Sequence, residues 1–189
     1  MELLLNYLHS IRPLSPELRD YLSEKLETKR CLKRDYLLKA GRVCSHIYFV
    51  ESGLFRCFYT REDEDREVCA WFMKEGDVIA SVDSFFNQTP SYENIQALED
   101  SVVHFISWQE LETLYDKFPE FNFIGRKLVQ KYYVLSEQRI YSLRMKRSFD
   151  RYYWLMKNYP ELIQRVPSKF IASYIGNTQE TVSRIRGKR

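Results

Sequence analysis

The chain has 189 residues, 44% of them hydrophobic and 29% charged, with a formal net charge of +3. That length holds one full hydrophobic core and a smaller appended one, and no apolar run reaches the roughly 18 residues of a membrane-spanning helix. The opening MELLLNYLHSIRP has too short an apolar stretch, and no basic flank, for a secretory signal, so a cytoplasmic protein without membrane attachment is expected.

An amphipathic helix is expected over Pro16–Lys25. Short β-type runs follow at 46–50, 54–59, 67–72, 78–80, 95–98 and 102–106. Turn chemistry lies between them. Ser52-Gly53 suits a hairpin between the first two runs, 61–66 reads as a charged tip, and Gly76-Asp77 turns a further corner. Several short strands at this spacing predict a barrel or roll. Cys31, Cys44, Cys57 and Cys69 stand much farther apart than the two to four residues that separate paired zinc or iron–sulfur ligands. They read as small buried hydrophobes, His9, His46 and His104 are equally scattered, and no metal or cofactor is expected.

From Pro119 the pattern becomes helical. Phe121, Ile124, Leu128, Tyr132 and Leu135 recur three and four apart, while Arg126, Lys127, Lys131, Glu137 and Gln138 occupy the other faces. So narrow a stripe suits a two-helix seam and predicts a homodimer; packing against the chain's own roll is the alternative. Within 148–167, Ser148 is expected to cap a helix that packs Tyr152, Leu155 and Met156 inward and ends at Pro160. Pro167 then starts the next helix.

The last residues, VPSKFIASYIGNTQETVSRIRGKR, read as two short helices around a turn. Phe170, Ile171, Tyr174 and Ile175 share one face, Gly176 breaks the first helix, and Asn177 or Thr178 caps the second. In the second only Val182 and Ile185 are apolar, so its other side is open. This is a helix-turn-helix pattern, and it predicts DNA binding. Gln179, Glu180, Thr181, Ser183 and Arg184 fall where a recognition helix meets base edges, and Arg186, Lys188 and Arg189 suit phosphates, with Ser168 and Lys169 beside them on the preceding helix. Residues 139–189 hold 12 Lys and Arg against 3 Asp and Glu, so the remainder of the chain is acidic. A basic end joined to an acidic body is the electrostatic footprint of a nucleic-acid reader attached to another module. The competing function is an effector-binding signalling module whose basic tail contacts protein or acidic surfaces. An enzyme has no support from a nucleophile elbow, phosphate loop or metalloprotease spacing.

IYFVESGLFRCFY, FMKEGDVIA and IQALEDSVV, followed by a long helix and IASYIGNTQETVSRIR, resemble the Crp/Fnr family of transcription regulators over nearly the whole chain. The resemblance implies an α+β protein in three parts: an N-terminal double-stranded β-roll of the cyclic-nucleotide-binding type over 1–117, a dimerisation helix over 118–145, and an all-α helix-turn-helix domain over 146–189. The twofold axis of such a dimer makes a palindromic operator the expectation, and the resemblance implies RNA polymerase as a partner. The family's phosphate cassette is altered: its glutamate position falls on Asp77, after Gly76, its arginine on Ser91 and its hydroxyl neighbour on Tyr92. No arginine lies between Arg66 and Arg126, so cyclic AMP in the usual pose is not expected and the effector is unknown. Trp71, Phe72, Phe85, Phe86 and Tyr92 line an apolar effector pocket on one reading, and fill the core on the other. Arginine is frequent in the family where Gln179 stands, and a β-hairpin wing after the recognition helix is not expected.

Overall fold

The fold is that of a computed structural model, which describes residues 1–61 and 66–187, apart from the side chain of Arg186. Two helices, α1 (Glu2–Ile11) and α2 (Pro16–Lys25), precede eight strands: β1 (Glu27–Cys31), β2 (Tyr36–Leu38), β3 (His46–Ser52), β4 (Phe55–Arg61), β5 (Arg66–Met73), β6 (Val78–Ile79), β7 (Asn94–Ala97) and β8 (Ser101–Ser107). A short helix, α3 (Val82–Asn87), interrupts them. One sheet has the order β1-β8-β3-β6 and the other β2-β7-β4-β5, the arrangement of a double-stranded roll. Helices α4 (Trp108–Lys117), α5 (Pro119–Met145), α6 (Ser148–Asn158), α7 (Pro160–Arg165), α8 (Ser168–Tyr174) and α9 (Gln179–Arg186) complete the chain.

Helix α2 has the predicted bounds because Ser15 accepts the Leu18 N–H at its start and Pro16 occupies a first-turn position that needs no donor. Helix α1, β1, β2, α3, α4 and α7 carry weaker signals and were not expected individually. In β3, Tyr48, Phe49 and Val50 are all buried, so strict alternation is lost. Helix α1 packs on this strand, with Tyr7 stacked on Phe49, and covers a face that would otherwise be wet.

Ser52-Gly53 does not close a hairpin. Strands β3 and β4 lie in different sheets, and the turn carries the chain from one to the other. Gly53 has φ +103°, and a Cβ there would collide with the Ser101 side chain and backbone, so the glycine serves both a left-handed turn and a close approach. Ser148 is not a cap either: Arg147 precedes the first turn of α6, without a side-chain cap bond. Pro160 follows the end of α6 as expected but also opens α7, and Pro167 is the residue before α8 rather than its first.

The chain divides into two compact units, Met1–Cys57 with Phe72–Gln130, and Phe58–Trp71 with Lys131–Arg189. The core of the first contains Leu5, Leu18, Phe55, Phe85, Ile95 and Ile124; that of the second contains Leu155, Ile171, Ile175 and Val182. All four cysteines are buried, and none forms a disulfide among the described residues. No helix among the described residues is long and apolar enough to cross a membrane.

Candidate nucleic-acid interface

The sharp turn between α8 and α9 follows from two backbone bonds. Asn177 N–H donates to Ala172 O at 2.9 Å and Gly176 N–H to Ser173 O at 3.0 Å, while Gly176 adopts φ +67°. This is a Schellman closure, which satisfies the last carbonyls of α8 and needs a residue at ease in the left-handed region. Thr178 then caps α9 by accepting the Thr181 N–H, and Val182 and Ile185 are buried beneath the helix. Asn177 is not the cap; its side chain accepts from the Thr178 N–H at 3.2 Å.

Two arginines fix the end of α8. Arg139 on α5 donates from Nη2 to Tyr174 O and lays its guanidinium 3.5 Å from the Tyr174 ring centre. Arg151 on α6 donates from Nε to Ile175 O at 2.7 Å, and from Nη1 to Leu143 O and Lys146 O. Cations at helix C-termini satisfy exposed carbonyls and oppose the dipole. Burial lowers the pKa of both guanidinium groups from the ordinary value. Both had counted towards the basic end of the chain, yet both have structural roles. The available signal was positional: Arg139 continues the Leu128, Tyr132, Leu135 stripe at helical spacing, a cation on an inward face. Ser173 adds a further tie, accepting from Cys69 N–H at 2.9 Å and donating to Glu67 O at 3.0 Å on β5.

The outer face of α9 presents Gln179, Glu180, Ser183 and Arg184, all exposed, with Thr181 half-buried. Gln179 donates to the Ser168 hydroxyl at 3.2 Å and Arg184 to the Thr181 hydroxyl at 3.3 Å, which holds both side chains along the helix surface. Glu180 is kept below the usual carboxylate range first by its own backbone N–H in the first turn, then by Thr178 and Arg184. Lys169 is exposed, its ammonium 4.8 Å from the Phe170 ring centre. The Arg186 side chain, Lys188 and Arg189 lie outside the described residues. The face therefore offers amide, carboxylate, hydroxyl and guanidinium groups above an apolar base, the chemistry that reads base edges.

The residues considered for an effector do not share one environment. Phe85 is fully buried in the roll's core, whereas Tyr92 is 60% exposed and Phe86 is also exposed. Gly76 forms a left-handed turn whose backbone bonds to Val50 and whose neighbour Asp77 accepts from Lys74 N–H. Trp71 belongs to the second unit. Ser91 is buried, 2.9 Å from the Ser81 hydroxyl, and bonds to the Glu93 backbone. Burial draws the Glu93 carboxyl upward despite a bond from Ser81. The roll does contain a buried guanidinium that sequence reading missed: Arg56 on β4, which donates to Gln96 Oε1 from Nε at 3.0 Å and Nη2 at 2.7 Å.

On α5, Phe121 and Ile124 are buried inside the first unit, which removes them from the expected seam. Leu128, Tyr132 and Leu135 are half-buried on the same side. The exposed apolar residues of α5 are Val129, Tyr133, Val134, Ile140, Tyr141, Leu143 and Met145, and Val129, Tyr133, Ile140 and Leu143 follow a heptad with Ser136 in one place.

A model of the cyclic nucleotide-binding domain matches residues 28–118. The fumarate and nitrate reduction regulatory protein of Vibrio cholerae is 26% identical over 181 residues, 89% of this chain and 71% of that protein. Its counterpart in Yersinia pestis is 28% identical over 182 residues, with the same shares. Among solved structures, a CooA variant from Carboxydothermus hydrogenoformans superposes with a TM-score of 0.72 at 21% identity, covering 96% of this chain and 83% of that one.

Proposed function

The chain belongs to the Crp/Fnr family of transcription regulators, and on that premise we propose that it is a cytoplasmic, homodimeric reader of a palindromic operator with α9 as its recognition helix. The observation that carries this reading is the division of α9 into a buried side, Val182 and Ile185, and an exposed polar side held by a capped, Schellman-closed turn. On that side Arg184 has the fork that binds guanine, Glu180 can accept from a cytosine amino group, and Gln179 suits adenine. Ser168, Lys169, Thr178, Thr181, Ser183, Arg186, Lys188 and Arg189 flank them as phosphate and edge contacts. The functional parts are a sensor over 1–117, a dimer helix over 118–145 and a reader over 146–189. RNA polymerase is the expected partner.

Two recognition helices related by a twofold axis reach successive major-groove faces about 34 Å apart. The exposed heptad on α5, Val129, Tyr133, Ile140 and Leu143, supports a seam turned away from the buried Phe121 and Ile124. The effector of the roll is not cyclic AMP in the usual pose: Ser91 stands where the resemblance calls for arginine, and the Glu93 carboxyl lies within the same Ser81–Ser91 cluster.

The test begins with duplexes selected by the protein from a randomised pool. The selected duplex should outcompete a scrambled one by about 4 to 10 kcal/mol at physiological salt. Arg184→Ala should lose about 1 to 3 kcal/mol and relax preference at one base position. Binding that ignores sequence in both proteins would leave only a polycation.

A further inference from the structure

Within the second unit a cavity of about 390 Å³ is lined by Tyr59, Trp71, Arg139, Ile140, Leu143 and Tyr174, among others. Its walls are mostly aromatic and aliphatic, and Arg139 is the cationic side chain that lines it. We propose that this cavity is a binding site for a small carboxylate with an aromatic body, its carboxylate meeting Arg139 and its ring lying among Trp71, Tyr59 and Tyr174.

The charge argument comes first. Arg139 donates from Nε to Ala70 O at 2.9 Å and from Nη2 to Tyr174 O and Cys69 O, and all three acceptors are neutral backbone carbonyls. The Tyr174 side chain also meets the guanidinium, and among the described residues no carboxylate lies within ion-pair distance of it. Carbonyl dipoles orient a guanidinium without neutralising it, so among the described residues no opposite charge offsets a cation largely withdrawn from water. Desolvation is the largest influence on this group, and the nearby Arg151 charge acts in the same direction. An anion supplied from solution would remove that cost and gain a charge-assisted bond.

The wall argument fixes the rest of the ligand. Pockets of about 300 to 1,000 Å³ enclose small organic molecules, with apolar walls for the body and a few polar groups for orientation. Here one cation stands among rings, which selects a single carboxylate on a flat apolar frame over a sugar or a polyphosphate. Arg139 and Ser173 also tie β5 to α8, so the site adjoins the support of the recognition helix without using any of its exposed groups.

Binding is measured without DNA, so a failed operator assay and a failed site remain distinguishable. Calorimetry on the full chain would use 1-naphthaleneacetate, indole-3-acetate and benzoate, each beside its uncharged amide. The expected result is saturable binding of at least one acid, one per chain, at least about tenfold tighter than its amide. Arg139→Gln should lose that preference. Because Arg139 also holds backbone carbonyls, Val68→Asp, a half-buried lining position, supplies a second variant that sets a carboxylate in the cavity while keeping Arg139. It should weaken acid binding about tenfold or more and leave amide binding within about twofold. Equal affinity for acid and amide, unchanged acid binding in Val68→Asp, or no saturable binding by any of the three acids would overturn the proposal.

Discussion

Glu93 shows how one side chain sets the electrostatics of the roll. Its carboxyl is raised from the ordinary 4.5, chiefly by desolvation, with Ser81 opposing and Asp83 adding to the rise. A carboxyl raised in the folded state is favourable while protonated, so its contribution is complete below the unfolded value and is lost as pH climbs through the folded one. Glu93→Gln should therefore stabilise the protein at pH 7.5, with the gain shrinking towards pH 4. Thermal melts of parent and variant at both pH values check this, and a loss at pH 7.5 would mean that the Ser81 bond outweighs burial. A cyclic phosphate brought to the same cluster meets that negative charge, and calorimetry with cyclic AMP should show no saturable heat. Micromolar binding would mean that the missing arginine is replaced by another donor.

At the scale of elements, the α8–α9 turn depends on conformation more than on space. A Cβ at Gly176 would make ordinary contacts, 3.6 Å to Arg151 and 3.7 Å to Leu143, but at φ +67° an alanine is strained. Gly176→Ala should cost about 1 to 2 kcal/mol in urea unfolding, and Gly176→Asn less, because asparagine tolerates the left-handed region. This turn was legible in the sequence because its glycine, its cap and the pair Val182 and Ile185 are all local signals. Gly53 was equally visible, but a hairpin glycine and a glycine pressed against Ser101 have the same letter, and only the partner strand tells them apart. Of the stripe on α5, Phe121 and Ile124 pack inside their own unit, the alternative that the sequence left open, while an exposed heptad lies farther round the helix. Arg139 was legible only as a cation on an inward face and Arg151 not at all, because a sequence counts charge and cannot show the carbonyls it meets.

For the whole molecule, the uneven distribution of charge and the exposed face of α5 belong to one prediction. Val129 and Tyr133 are 55% and 66% exposed, so charging them should disturb a partner more than the folded chain. Val129→Glu with Tyr133→Glu should yield a monomer in sedimentation velocity while circular dichroism stays unchanged. Operator affinity should fall with it, since each half-site supplies only part of the phosphate contacts. A persistent dimer would place the twofold elsewhere. The division of the chain has a separate consequence. Strands β4 and β5 and helix α5 each begin in one compact unit and end in the other, and Arg139 and Ser173 reach the β4–β5 ribbon from α5 and α8. Severing the backbone before α6 would not liberate an intact reader: Tyr174 would forfeit its guanidinium, Ser173 would lose both ribbon partners, and the fragment would carry its recognition surface on a scaffold stripped of those anchors.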